Sequence, residues 1–151
     1  MRHAGVLGRP IAHSLSPVLH RAAYAALGLS WTYQAIDCGV AELADALAER
    51  ADWAGFSCTM PLKRALLDVA IEVRPLAAAV GAANTLLPLV GGGWIAENTD
   101  VIGIVRTVRE AAITAGSVTI LGAGGTAQAA VAALPQLGVT TCEVLVRNVA
   151  R

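Results

Sequence analysis

Residues 117–137 are the most restrictive stretch of the chain. The apolar run SVTIL leads straight into GAGGTA and then into an alanine-rich segment of helical character. Gly122, Gly124 and Ala127 therefore stand at G-x-G-x-x-A spacing between a strand and a helix, the context that gives this spacing physical meaning. Gly122 permits a tight turn, and Gly124 lets the backbone approach a ligand with no Cβ in the way. Ala127 keeps the helix close to the strand. The helix start offers free N–H groups and a partial positive charge, which suit a pyrophosphate.

Upstream, apolar runs of strand length alternate with segments of helical period. Strands are predicted at Ala4–Leu7, Trp31–Cys38 and Trp53–Thr59. A helix is predicted from Ser16-Pro17, with the serine as N-cap, to Gly28. Others cover Val40–Arg50 and start at Pro61. ANTLLPLV and GWIAEN read as paired strands around a glycine turn. A helix over about Val101–Ala115 precedes the strand Ser117–Leu121. The helix after the glycine loop runs to about Leu137, and a last strand covers Cys142–Val146. This alternation predicts an α/β fold: a mainly parallel-sheet domain over residues 1–100, followed by an incomplete Rossmann-type βαβ unit over 101–151.

Composition narrows the partners. Of 151 residues, 56% are hydrophobic and 15% charged, and eleven basic residues cancel eleven acidic ones. No basic face with interleaved aromatics is present, which argues against nucleic acid. Mean hydropathy is +0.61. Charge, proline or glycine nevertheless cuts every apolar stretch before the ~20 residues of a membrane span. The N-terminus MRHAGVLGRP has no secretory pattern. Cys38, Cys58 and Cys142 form no C-x-x-C pair, so they read as reduced cytoplasmic thiols with no zinc site.

Three polar clusters interrupt this apolar chain. In His13-Ser14-Leu15-Ser16, two hydroxyls before a helix can receive an anionic group, or serve as an N-cap and a turn serine. In Ser57-Cys58-Thr59-Met60-Pro61-Leu62-Lys63, a strand end delivers Ser57 and Thr59 to one side. Lys63 would then sit in a first helical turn, facing the positive end of the helix dipole, where it is either a proton-transfer group or a solvated lysine. The third cluster joins Asn84-Thr85 to Glu97-Asn98-Thr99-Asp100, where Asp100 is also a natural N-cap. Past the last strand, the place of a ribose-binding carboxylate is taken by Arg147, with Arg151 beyond. That favours the 2′-phosphate of NADP over NAD, unless both are plain surface arginines.

Taken in order, GRPIAHSLSP, GFSCTMPLK, GAANT, NTDVIG and GAGGTA resemble the shikimate dehydrogenase family along the whole chain. The resemblance implies an oxidoreductase that reversibly reduces 3-dehydroshikimate to shikimate with NADP(H), a step of the shikimate pathway toward chorismate and aromatic amino acids. It implies that Ser14 and Ser16 bind the substrate carboxylate, and that Thr59, Asn84 and Asp100 contact ring hydroxyls. Lys63 is then the main catalytic residue, paired with Asp100. Gly122, Ala123, Gly124, Gly125, Thr126 and Ala127 would hold the cofactor pyrophosphate, with Arg147 and Arg151 near its phosphate. The expected partner is the small-molecule substrate, in a cytoplasmic monomer or homodimer with no metal, nucleic acid or membrane.

Two departures accompany the likeness. Ser57 occupies the place of a substrate-binding asparagine, and the last strand ends R-N-V where the family reads N-R-[ST]. Members also continue further, completing the cofactor sheet and returning a helix with a substrate-binding glutamine. The resemblance therefore implies that these residues are a fragment with little activity alone. Competing readings are an NAD-dependent quinate/shikimate dehydrogenase and a non-catalytic shikimate- or nucleotide-binding relative.

Overall fold

The computed structural model describes residues 1–148. Its centre is β1 (Arg2–Gly8), whose last five residues are buried. An apolar run this short, bounded by glycine and proline, suits a strand covered on both faces. Ala4 and Val6 pack with Ile11 and Tyr33 on one face, while Leu7 joins the larger core on the other. That alternation is the pleat of the strand.

From β1 the chain runs through α1 (Ser16–Ala26) to β2 (Trp31–Asp37) on one side. It then crosses through α2 (Leu43–Ala48) to β3 (Phe56–Cys58) on the other. Both β2 and β3 pair parallel with β1. After α3 (Leu66–Val69), β4 (Glu72–Val73) and α4 (Pro75–Val80), a hairpin of β5 (Thr85–Pro88) and β6 (Trp94–Glu97) adds antiparallel to β3. The six-stranded sheet has the order β2-β1-β3-β5-β6-β4. Gly91, Gly92 and Gly93 close the hairpin with φ of +99°, +105° and +84°. Side-chain-bearing residues rarely adopt such angles, so the glycine turn is required.

The main core covers one face of this sheet, and the cluster of Ala4, Val6, Ile11 and Tyr33 lies on the other. Leu43 and Leu47 of α2, Leu62 and Leu66 pack onto Leu7, Phe56 and Leu86, each buried leucine contributing roughly 2 kcal/mol. Trp53, Phe56 and Trp94 form an aromatic run with centroids 5.3 and 5.2 Å apart. A second cluster joins Val80 and Ala82 to Val101 and Val105 of α5 (Asp100–Glu110) and to Ala129 and Ala133 of α6 (Gly125–Ala133). The parallel pair β7 (Ser117–Leu121) and β8 (Thr141–Leu145) flanks α6 and completes a βαβ unit. Among the described residues, no helix is long and apolar enough to cross a membrane.

Several predicted boundaries move. Ser16 is the first residue of α1, and Leu15 holds the cap position. The helix expected at Pro61 begins at Leu66, because the Lys63 carbonyl accepts the N–H of Ala83 at 2.7 Å instead of an intrahelical donor. Lys63 therefore lies in a turn and not in the first turn of a helix. The third strand shortens to Phe56–Cys58 and the second helix to Leu43–Ala48. The helix before β7 ends at Glu110, and α6 gives way to a 3-10 turn at Leu134–Leu137. β4 and α4 are additions to the predicted set.

Asn98 ties the Ala82 segment to the start of α5. It is 1% exposed. Its Nδ2 donates to the Ala82 carbonyl at 2.8 Å, and its Oδ1 accepts the Val101 N–H at 3.2 Å in the first turn of α5. Asn98→Ala orphans both backbone groups, at a cost of about 2–3 kcal/mol. Thermal melts followed by circular dichroism should drop by about 5–10 °C; an unchanged midpoint would remove Asn98 from this role.

Candidate active site

Strand order brings the polar clusters together. The chain leaves β1 toward one edge of the sheet, for β2, and leaves β3 toward the other, for β4, so a crevice opens beyond the carboxyl ends of β1 and β3. His13, Ser14 and Ser16 follow β1, and Thr59 to Lys63 follow β3. Because β5 runs antiparallel, its first residues lie at that same end, with the Cys58 N–H donating to the Asn84 carbonyl at 2.7 Å. β6 reverses again and brings Asn98, Thr99 and Asp100 back beside them. The loops after β1 and β3 are stitched by Arg9 N–H to the Met60 carbonyl at 3.0 Å, and both contain a cis proline peptide, at Arg9–Pro10 and Met60–Pro61.

The result is a cavity of about 320 Å³. Ser14, Ser16, Ser57, Thr59, Lys63, Asn84 and Asp100 all line it. These are the seven substrate-site residues expected from the sequence. His13, Thr85 and Thr99 also contribute to its wall, over an apolar floor of Val6, Ile11 and Cys58. Cys58 is 3% exposed, and burial drives its thiol far above the usual range. It is therefore an inert floor group rather than a nucleophile.

The charged centre is tightly specified. Lys63 Nζ donates to Asp100 Oδ2 at 2.6 Å. Asn84 Nδ2 donates to the other oxygen, Asp100 Oδ1, at 2.7 Å and to Thr99 Oγ1 at 2.9 Å. Asn84 Oδ1 in turn accepts the Thr99 N–H at 2.9 Å and the Thr85 hydroxyl at 3.1 Å. Asp100 thus sits in the first turn of α5 with Thr99 at the cap position; its carboxylate serves the cavity and not the helix end. Side-chain exposures of 16% for Lys63 and 22% for Asp100 screen the pair less than a surface pair.

Lys63 also reaches the glycine loop. Its Nζ donates to Thr126 Oγ1 at 2.8 Å, and Arg64 Nε donates to Gln128 Oε1 at 3.3 Å. A Cβ on Gly125 would lie 3.0 Å from both Cβ and Cδ of Lys63, so the missing side chain is what allows the contact. Gly122 turns the chain with φ +99°, and a Cβ on Gly124 would meet nothing within 4 Å. Open space thus stands before the first turn of α6, whose N–H groups have no intrahelical acceptors. A pyrophosphate fits that arrangement. The Gly122 N–H donates to the Leu145 carbonyl at 2.8 Å, so the loop and exposed Arg147 share one end of the β7–β8 pair. Arg151 lies outside the described residues.

Sequence reasoning did not single out His13, Thr85 or Thr99 as wall residues, although all three sit inside the quoted motifs. It also missed Tyr33, which reaches Ser57 from behind the cavity at 2.8 Å; nothing around Tyr33 marks it in the sequence.

The family profile described as the shikimate dehydrogenase substrate binding domain matches residues 6–86. A shikimate dehydrogenase (NADP(+)) of Synechococcus sp. is 41% identical over 147 residues, covering 95% of this chain and 50% of its relative. The crystal structure of Mycobacterium tuberculosis shikimate dehydrogenase matches with a TM-score of 0.86 at 48% identity, over 99% of this chain and 57% of that one. The Thermus thermophilus shikimate 5-dehydrogenase in complex with NADP(H) and shikimate matches with a TM-score of 0.87 at 36% identity, over 95% and 56%. The chain spans about half the length of the curated relatives it matches.

The Lys63–Asp100 contact is open to a double-mutant cycle. Asp100→Ala strands a half-buried ammonium, and Lys63→Met strands a half-buried carboxylate. The double variant should lose less stability than the sum of the single losses, by about 1–3 kcal/mol. Denaturant melts on the four proteins measure this, and strictly additive losses would mean that the two charges are not coupled.

Proposed function

The chain belongs to the shikimate dehydrogenase family, and from that premise we propose that the protein containing it reversibly reduces 3-dehydroshikimate to shikimate with NADPH, in the route to chorismate and aromatic amino acids. The observation that carries this reading is the Lys63 ammonium. It is held by Asp100 inside a cavity of neutral hydroxyl and amide groups while touching the glycine loop at Thr126.

In this reading residues 1–100 form the substrate-binding domain, and 101–151 begin a Rossmann-type NADP-binding domain. Ser14 and Ser16 receive the substrate carboxylate beside the start of α1. Thr59, Asn84 and Asp100 each offer a directed partner to a ring hydroxyl, which neutral polyol recognition requires. Lys63 donates a proton to the ketone oxygen as negative charge develops there, and accepts it back in the oxidative direction. Asp100 keeps the ammonium aimed. Gly122 to Ala127 would hold the pyrophosphate at the head of α6. Arg147 would meet the 2′-phosphate of NADP, with Arg151 as a second candidate from the sequence. When bound, the reduced nicotinamide supplies the hydride. The three free cysteines fit a reducing, cytoplasmic setting.

Shikimate oxidation by the natural polypeptide containing these residues, followed by reduced-cofactor absorbance with NADP and NAD in parallel, tests this. Turnover should favour NADP. Lys63→Ala should cut kcat by about 10²- to 10⁴-fold while shikimate binding persists. Absence of turnover with either cofactor from a folded protein would leave a binding protein as the better description.

A further inference from the structure

Ser57 lines the cavity, and its position is governed from two strands away. Val6 of β1 pairs with Ser57, while Ala4, two residues earlier on the same face, pairs with Tyr33 of β2. Tyr33 therefore shares a face with Ser57 and lies diagonally across β1 from it. A tyrosine spans that distance, and its hydroxyl donates to Ser57 Oγ at 2.8 Å.

The Tyr33 ring is fixed on every side. It is 3% exposed and packed with Ala4, Val6 and Ile11. His20 of α1 stacks on it with centroids 3.9 Å apart and 13° between planes. The His20 ring is itself held, its Nδ1–H donating to the Ser16 carbonyl at 2.9 Å. Arg21 Nε donates to the Tyr33 carbonyl at 3.1 Å. The helix that carries Ser16 into the cavity thus also clamps the tyrosine.

The direction of the hydrogen bond follows from the two hydroxyls. A phenol is the stronger acid, so it donates and the aliphatic hydroxyl accepts. Burial pushes the Tyr33 phenol up, although its bond to Ser57 opposes this, so it keeps its proton across the neutral range. An unpartnered serine hydroxyl rotates among three staggered positions. With one lone pair of Ser57 occupied by Tyr33, its own O–H is left to donate into the cavity.

We propose that Tyr33 is a positioning residue that fixes Ser57 as a hydrogen-bond donor to one oxygen of the bound substrate, making the Tyr33–Ser57 pair a determinant of substrate affinity. This rests on the substrate reading above. The pair selects a ligand that presents an acceptor oxygen at that wall.

Steady-state kinetics with shikimate and NADP on the natural polypeptide test it through Tyr33→Phe, Ser57→Ala and the double variant. Phenylalanine preserves the stacking on His20 and the apolar packing, so only the hydroxyl is lost. Tyr33→Phe should raise the KM for shikimate by about 3- to 10-fold with kcat within about twofold, the loss expected of one weakened hydrogen bond. Because Tyr33 acts through Ser57, the double variant should match Ser57→Ala. A purely structural tyrosine would instead give multiplying losses or a fall in kcat with unchanged KM, and either result overturns the proposal. Should Tyr33→Phe fold poorly, Ser57→Ala alone decides, since a wild-type KM in that variant overturns it too. An inactive wild-type protein would remove the substrate reading and this proposal together, whereas an active one with an unaltered Tyr33→Phe removes only the proposal.

Discussion

Burial of β1 on both faces is the constraint from which the rest of the arrangement follows. A strand with Ala4 and Val6 packed on one side and Leu7 on the other needs a covering layer on each face and a neighbour along each edge. The parallel crossovers through α1 and α2 meet that need by sending the chain first to one edge and then to the other. A crevice beyond the carboxyl ends is the geometric consequence. The hairpin of β5 and β6 then decides which residues complete the crevice, because each reversal of direction returns a polar segment to the same end of the sheet.

Lys63 occupies the place where the six-stranded layer meets the βαβ unit. Its carbonyl is fixed by Ala83, its ammonium by Asp100 and Thr126, and its stem rests on Gly125. A charge that is half-buried and bonded on two sides gains orientation at the cost of desolvation, so its partners must be well placed. Asn84 supplies that placement by holding the second oxygen of Asp100 and the Thr99 backbone together. The glycine loop and the charged centre consequently share one wall, with the side-chain-free Gly125 between them.

Much of the local structure was legible in residue pattern. The SVTIL–GAGGTA transition gives a strand, a tight turn at Gly122 and a helix, because each depends on nearest-neighbour backbone preference. The paired strands around Gly91–Gly93 follow for the same reason. Boundaries failed where a distant group competes for a backbone partner. Lys63 leaves the predicted helix because Ala83 takes its carbonyl. Likewise, the first turn of α5 is met by buried Asn98 in place of the expected Asp100 cap. Asp100 could be read as a cap or as a site carboxylate, and only the positions of Lys63 and Asn84 distinguish the two.

The sequence by itself determined the residue chemistry of the cavity, the turn of the glycine loop and the class of fold. Side-chain type and backbone propensity are properties of a residue and its near neighbours, and the family motifs preserve them in order. Tertiary structure decided that Tyr33 stands behind Ser57, that Thr126 meets Lys63, and that Asn98 joins α5 to the Ala82 segment. Those contacts span 24, 63 and 16 residues of chain. They are set by strand order and register, which emerge only when burying both faces of β1 fixes where each segment lies.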